Sequence, residues 1–214
     1  MKLISLGNSC KVRESIDRNN GNSQPTLIFD WVISDFGAVV KIFEKISQYQ
    51  ENEIFNNLCF YNEGVNENNL THYCASHNKI LFKSIHDLST QKSYDEQVNE
   101  LVNKYLRRSD RLRKIIQTEN ETLHFIYFIS FSQNIPSIDE MYYFITYVEK
   151  MRSNKTFFIH LLVPPEFHSF RDKLYSCVIT NHVKIVFMDK DKNIDPVKEQ
   201  RRDLSWEKFY RSLT

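Results

Sequence analysis

Four cysteines and seven histidines are the residues of this 214-residue chain best suited to nucleophilic or metal chemistry. Cys10 stands out because the segment "ISLGNSCKVRESIDR" (residues 4–18) is apolar up to Gly7 and then resembles the start of a helix. The first turn of that helix would hold Cys10, where the helix dipole and free amides favour a thiolate. The backbone amides around Asn8 and Lys11 could also hold an oxyanion during acyl transfer. Alternatively, Cys10 is a small apolar residue packed between helix and sheet.

A nucleophilic cysteine needs a base, and histidine supplies one near neutral pH. His86 lies at the end of the alternating segment 79–87, which predicts a strand, and Asp87 and a loop follow it. A strand end holds a catalytic base rigid yet exposed, so His86 is the candidate base. Four other histidines are interpreted as core residues of apolar strands or as surface residues: His124, His160, His168 and His182.

The tripeptide "FDW" (residues 29–31) places a carboxylate between two large aromatic side chains, where burial without a partner is costly. Asp30 either pairs with an arginine or a backbone donor, or orients a histidine as the third member of a triad. We prefer Asp30 to Asp87 as the orienting residue of His86, because neighbours on a strand point to opposite faces. Trp31 is expected to form part of the wall of a solvent-open cleft.

The segment "HYCASH" is a rival cluster, because it contains residue types that bind zinc. Its spacing matches no standard pair set of zinc ligands, even with Cys59 nearby. We therefore expect no metal and no cofactor. The candidate ligands in the segment would be His72, Cys74 and His77.

The basic run "YLRRSDRLRK" (residues 105–114) could engage a phosphate or a carboxylate. The candidate anion-binding residues are Arg107, Arg108 and Arg111. The alternative is that the run is the solvated face of a long helix, with Asp110 interspersed among the cations.

The elements that must position these residues follow from hydrophobic periodicity and capping signals. Strands are predicted at residues 2–6, 79–87, 122–131, 157–163 and 182–189. Helices are predicted at residues 36–47 with Asp35 as N-cap, from the capping box of residues 93–96 onward, and at residues 137–152. The segment 26–34 has the composition of a strand, whereas residues 51–78 give no clear pattern.

Strands that alternate with helices indicate βαβ units and a parallel sheet covered on both faces. We therefore predict an α/β fold of three layers, in which helices flank a mostly parallel sheet. No repeat or low-complexity linker divides the chain, so residues 1–214 are predicted to form a single domain. Residues 1–115 carry the candidate motifs, and residues 120–190 carry the strand–helix alternation.

The charge and composition of the chain exclude several function classes. Lys and Arg number 28 against 27 Asp and Glu, so the formal net charge of +1 does not predict a nucleic-acid or anionic-membrane partner. No apolar run approaches the roughly 20 residues that span a bilayer, and no signal segment opens the chain. We expect an intracellular, cytoplasmic protein with reduced thiols, in the host cell if it is viral. The sequence does not indicate an oligomeric state.

In their order and separations, "ISLGNSCKV", "FDW", "SIHD" and "YLRRSDRLRKI" resemble the putative papain-like cysteine peptidase family, a domain of bacteria and large DNA viruses. The resemblance covers residues 1 to about 115, with matches at Cys10, Asp30, Trp31, His86 and Asp87. Ile28 stands where the family has proline, and Leu88 where it has phenylalanine. Neither departure removes a reactive group.

The residues and the resemblance together predict a Cys–His hydrolase for a peptide or another acyl substrate. Cys10 would be the nucleophile, His86 the base and Asp30 the orienting carboxylate, with Trp31 and Asp87 in support. One alternative is a non-catalytic binding module in which Cys10, Asp30 and His86 form a buried cluster. Another is a transferase for a glycan or lipid-linked substrate, with its phosphate on the basic helix.

Overall fold

The computed structural model describes residues 1–8, 10–20, 25–65, 71–77, 79–84, 94–153, 155–189 and 204–213. Side chains are described for most of these positions, although those of Cys10 and Lys11 lie outside the description. None of the helices in these ranges is long and apolar enough to cross a membrane.

A parallel sheet of four strands, in the order β1-β6-β7-β8, forms the centre of the fold. Its strands are β1 (Lys2–Ser5), β6 (Leu123–Phe128), β7 (Phe157–Val163) and β8 (Val183–Phe187). The first pairing aligns Lys2 with Leu123, and the second aligns Leu123 with Phe157, so the three carboxyl ends meet at one edge. The prediction of a parallel sheet from the strand–helix alternation is confirmed.

Helices cover both faces of this sheet, as the three-layer prediction requires. One face packs against α1 (Cys10–Asn20) and α7 (Leu204–Arg211) through a cluster that includes Leu3, Val12 and Trp206. The other face packs against α2 (Phe36–Ser47) and α5 (Ile138–Arg152), where aromatic rings interlock.

The ends of the flanking helices follow from local hydrogen bonding. The Asp35 side chain accepts a hydrogen bond from the Ala38 amide at 2.7 Å, which confirms the predicted N-cap of α2. Ser137 and Glu140 form a reciprocal capping box at the start of α5, one residue after Pro136. The long helix α4 (Tyr94–Thr118) begins where the sequence predicts, but its predicted N-cap, Ser93, lies outside the described residues.

A second sheet, which the sequence did not reveal, is antiparallel and has the order β2-β5-β4-β3. It contains β2 (Val32–Ser34), β3 (Leu58–Val65), β4 (Thr71–His77) and β5 (Phe82–Ser84). The hairpin of β3 and β4 and the short helix α3 (Asn52–Phe55) occupy the segment that gave no clear pattern. Asn and Glu interrupt the apolar alternation there, which is why periodicity failed.

The second sheet shares a hydrophobic core with the first. Phe82 of β5 and Phe55 of α3 pack against Tyr105 of α4, with ring centroids 5.2 Å and 5.5 Å from that of Tyr105. One buried cluster includes these side chains and also Phe125 and Phe144 of the first sheet and α5. The short helix α6 (Arg171–Ser176) contributes Leu174 to the same cluster.

Two histidines lie side by side within the parallel sheet, on the face covered by α7. His124 Nδ1 and His160 Nε2 are 2.9 Å apart, and the two rings stack at an interplanar angle of 11°. Phe209 of α7 covers the His160 ring, with centroids 5.2 Å apart. Burial, then the neighbouring His124 and Lys184, lowers the pKa of His160 to about 3. Both histidines are core residues, as the sequence predicts.

We expect His160 to make folding sensitive to acid. The unfolded chain binds the proton near the ordinary pKa of 6.5 and the folded chain only near 3, so stability is complete above pH 6.5 and is lost as pH falls toward 3. His160→Gln should reduce this loss of unfolding free energy by up to about 5 kcal/mol. Urea denaturation of both proteins at a series of pH values measures it, and parallel stability curves for wild type and variant would contradict the account.

Candidate active site

Cys10 begins helix α1 at the carboxyl edge of the parallel sheet, where the sequence places it. The turn between β1 and α1 contains two left-handed residues, Gly7 with φ of 83° and Asn8 with φ of 68°. Left-handed backbone reverses the chain tightly, so the helix starts within five residues of the end of the strand. Ligands of open α/β sheets bind at this edge, beyond the carboxyl ends of the strands.

Glycine is required at position 7 for its left-handed backbone and also because this backbone lies against the second sheet. A Cβ atom added at Gly7 would clash with Ser34 Oγ and would lie 3.4 Å from Val32 Cγ2. Ser34 Oγ also donates a hydrogen bond to the Leu6 carbonyl at 3.2 Å. The turn that leads to Cys10 is thus in direct contact with strand β2.

The Asn8 side chain holds the turn through four hydrogen bonds. Its Nδ2 donates to the Phe128 carbonyl at 2.8 Å and to Tyr127 Oη at 3.3 Å. Its Oδ1 accepts from Ser130 Oγ at 2.8 Å and from Asn134 Nδ2 at 2.9 Å. Since Asn8 is only 3% exposed, this side chain anchors the turn, and only its backbone amide is left as a candidate oxyanion donor.

The first turn of α1 contains no acidic residue. The positive end of the helix dipole is therefore not offset by a carboxylate of that turn, and the backbone favours an anion at the position of Cys10.

Asp30 is buried in a turn before β2, and it pairs with the helix that carries Cys10. Its Oδ2 accepts hydrogen bonds from Arg13 Nη1 at 2.7 Å and from the Leu27 amide at 2.6 Å. Burial raises the pKa of Asp30 to about 6, against the opposing effect of the Arg13 charge. The arginine and backbone partners that the sequence left open are therefore present, and Asp30 fixes α1 one turn beyond Cys10.

The segment 26–34 forms a strand only from Val32 onward, contrary to its β-rich composition. The Asp30 amide donates to the Leu27 carbonyl while the Asp30 side chain accepts from the Leu27 amide, so residues 27–30 close into a turn. Trp31 then adopts a left-handed φ of 65°, which is an uncommon conformation for a bulky residue. Its indole is half-buried at the entrance to β2.

Two arginines of the basic helix α4 also interact with this turn. Arg111 donates to the Thr26 carbonyl, and the positive charge of Arg108 acts on Asp30. Arg108 and Arg113 are buried, so the expectation of a solvated face is wrong for these two arginines. Arg113 pairs with Glu51 at 2.6 Å, whereas Arg107 is exposed. Arg111 therefore holds the chain at the start of the FDW turn, and anion binding by the run stays a prediction.

His86, the candidate base, and Asp87 lie outside the described residues, so the pairing of Cys10 with His86 and the solvent-open cleft stay predictions. The nearest described residue before them is Ser84, the last residue of β5, which pairs with Val32 of β2. His72 and Cys74 of the rival zinc cluster lie on β4, but their side chains are outside the description. Among the described side chains, no three potential metal ligands come together.

A family model described as "Putative papain-like cysteine peptidase" matches residues 1–164. The chain belongs to this family. The match extends beyond the motifs of residues 1–115 and includes β6, α5 and β7, so it contains the strand and loop that hold Asn8. No match to the chain was found among curated proteins or among solved structures.

Sequence reasoning missed the residues that hold the turn before Cys10 in this papain-like family member. Tyr127, Ser130 and Asn134 lie about 120 residues from Asn8 along the chain, and none of them belongs to a motif. Arg13 carried a weak signal, because it lies one helical turn after Cys10 and Asp30 required a cationic or backbone partner.

We expect Asp30 to make the protein less stable as pH rises. Its folded pKa of about 6 lies above the ordinary value of 3.8, so the folded state holds the proton more tightly and stability falls between these pH values. The unfolding free energy of wild type should therefore decline relative to Asp30→Asn by up to about 3 kcal/mol across this window. Urea denaturation at several pH values measures the difference. A difference that stays constant, or that grows with pH, would show that the Asp30 pKa is not raised.

Proposed function

We propose that this protein is a cysteine hydrolase in which Cys10 is the nucleophile and His86 the general base. Its substrate would be a peptide or another acyl compound, as the peptidase description of its family suggests. The observation that carries the proposal is the placement of Cys10 as the first residue of an 11-residue helix, at the carboxyl edge of a parallel sheet.

The surroundings of this helix end supply what a nucleophilic thiol needs. The free amides and the positive end of the helix dipole stabilise the thiolate, and no carboxylate of the first turn competes with it. We propose that these amides, with those of Asn8 and Lys11, donate hydrogen bonds to an oxyanion.

Strand pairing supports His86 as the base. Ser84 pairs with Val32, and the Val32 carbonyl lies 3.5 Å from the Cβ position of Gly7. His86 follows Ser84 by two residues, and two residues extend no more than about 7 Å. This spacing would allow His86 to lie near the turn before Cys10, and we propose that it does.

The proposed reaction has two steps. The Cys10 thiolate attacks the acyl carbon, a thioester forms, and the leaving group departs with the proton that the His86 imidazolium gives up. In the second step the neutral imidazole removes a proton from water, the hydroxide attacks the thioester, and the acid is released. The thiolate and imidazolium are thereby restored.

Asp30 supports this reaction through Arg13, whose pairing fixes the helix of Cys10. We retain a direct role for Asp30, in which it orients the His86 ring, as a proposal. Its described hydrogen bonds are both made by Oδ2, so Oδ1 would be the atom that faces the imidazole.

Acylation of Cys10 by p-nitrophenyl acetate tests the proposal. We expect a burst of nitrophenolate near pH 7, with an acetyl thioester on Cys10 identified by peptide mass mapping. His86→Gln should slow the burst by about a hundredfold or more, because proton transfer by a positioned base contributes that much. Cys10→Ala should abolish the burst.

Two other cysteines provide matched controls. Cys59 is exposed and Cys177 is buried, with burial raising the pKa of the Cys177 thiol. Cys59→Ser and Cys177→Ser should leave the burst unchanged. A burst that survives in Cys10→Ala, or a label that maps to Cys59 in wild type, would rule out Cys10 as the nucleophile.

A further inference from the structure

We infer that Tyr127, Ser130 and Asn134 are positioning residues for the nucleophile, because together they hold the left-handed Asn8 turn that starts the Cys10 helix. The inference rests on the proposed function. None of the three is expected to touch substrate, and each would act on Cys10 through Asn8.

The hydrogen bonds of Asn8 are saturated. An amide side chain offers two N–H donors and two acceptor positions on its oxygen, and all four are used in this buried site. Asparagine adopts the left-handed conformation more readily than most residues, but it also populates other backbone conformations, so the turn needs contacts that select this one. The neighbours of Asn8 supply that constraint.

These neighbours come from separate elements. Tyr127 lies on β6, Ser130 follows the end of that strand, and Asn134 lies at the end of the 3-10 helix Ser132–Asn134. The turn before Cys10 is thus hydrogen-bonded to the segment that follows β6, the parallel strand next to β1. That segment lies at the same edge of the sheet as the start of α1.

Tyr127 also joins the two sheets. Its hydroxyl accepts a hydrogen bond from Asn8 Nδ2 and donates to the Ser34 carbonyl of β2 at 3.5 Å. Strand β2 pairs with β5, the strand that precedes His86. One buried hydroxyl therefore links the turn before the proposed nucleophile to the sheet that leads to the proposed base.

The consequence is that the acidity of the Cys10 thiol depends on Tyr127, Ser130 and Asn134 through the turn at Asn8. If the turn relaxes, the helix amides and the base lose their alignment with Cys10, and the thiol pKa returns toward the ordinary value of about 8.5. A purely structural role would lower the melting temperature without changing the acidity of Cys10.

The test is the pH dependence of Cys10 alkylation by iodoacetamide, followed by peptide mass mapping in Cys59→Ser protein. The variants are Tyr127→Phe, which removes only the hydroxyl, and Asn134→Ala. Both should lower the alkylation rate of Cys10 at pH 6 by about tenfold, because one unit of thiol pKa changes the thiolate fraction tenfold. Ser130→Ala should act in the same direction.

Tyr210→Phe is the matched control. Tyr210 is a buried tyrosine of α7, and its hydroxyl forms a hydrogen bond with Ser15 Oγ at 2.7 Å. Ser15 lies on α1, the helix that begins with Cys10, but beyond its first turn. Loss of the Tyr210 hydroxyl should lower the melting temperature but leave the alkylation profile of Cys10 unchanged. If Tyr127→Phe fails to fold, the alkylation profiles of Asn134→Ala and Ser130→Ala test the same inference.

The outcomes distinguish the proposed function from the inference that Tyr127, Ser130 and Asn134 position Cys10. An ordinary thiol pKa for Cys10 in the wild-type protein would overturn the proposed function and this inference with it. A lowered pKa in wild type that persists in Tyr127→Phe and Asn134→Ala would overturn the inference alone. A profile that shifts equally in Tyr210→Phe would also overturn it, because the effect would then follow general stability.

Discussion

The four hydrogen bonds of the Asn8 side chain are the constraint on which the candidate site depends. They hold a left-handed residue two positions before Cys10, and the direction of helix α1 follows from that turn. The buried pair of Arg13 and Asp30 holds the same helix three positions after Cys10. The start of α1 is therefore fixed on both sides of Cys10 by buried polar contacts, which are costly to bury and stabilise a unique geometry only when fully paired.

This arrangement separates the chemistry of the site from its support. The sequence predicts the Asn8 amide as an oxyanion donor and Asp30 as an orienting carboxylate, and the structure shows both side chains bonded to partners that define the backbone. Likewise, Arg111 donates a hydrogen bond to the Thr26 carbonyl at the start of the FDW turn, and the positive charge of Arg108 acts on the Asp30 carboxylate. The motif residues of this chain thus include a scaffold for the helix of Cys10, beside the residues expected to react.

The elements with strong local signals were predictable from sequence. Apolar runs located the parallel strands, and side-chain caps located the starts of α2 and α5, because these signals depend on residues within one or two turns. The hairpin of β3 and β4 was not predictable, since polar residues break its alternation. The partners of Asn8 were not predictable either, because a contact between Asn8 and Asn134 depends on how β1 and β6 pair.

Our central claim, that Cys10 is an activated nucleophile, is tested most directly by titration of its thiolate. The ultraviolet absorbance of the thiolate would be followed against pH, and the difference between wild type and Cys10→Ser would isolate Cys10 from the other cysteines. We predict a pKa for Cys10 well below the ordinary thiol value of about 8.5, with a rise toward that value in His86→Gln. An unperturbed pKa in wild type, with no change in His86→Gln, would contradict the account.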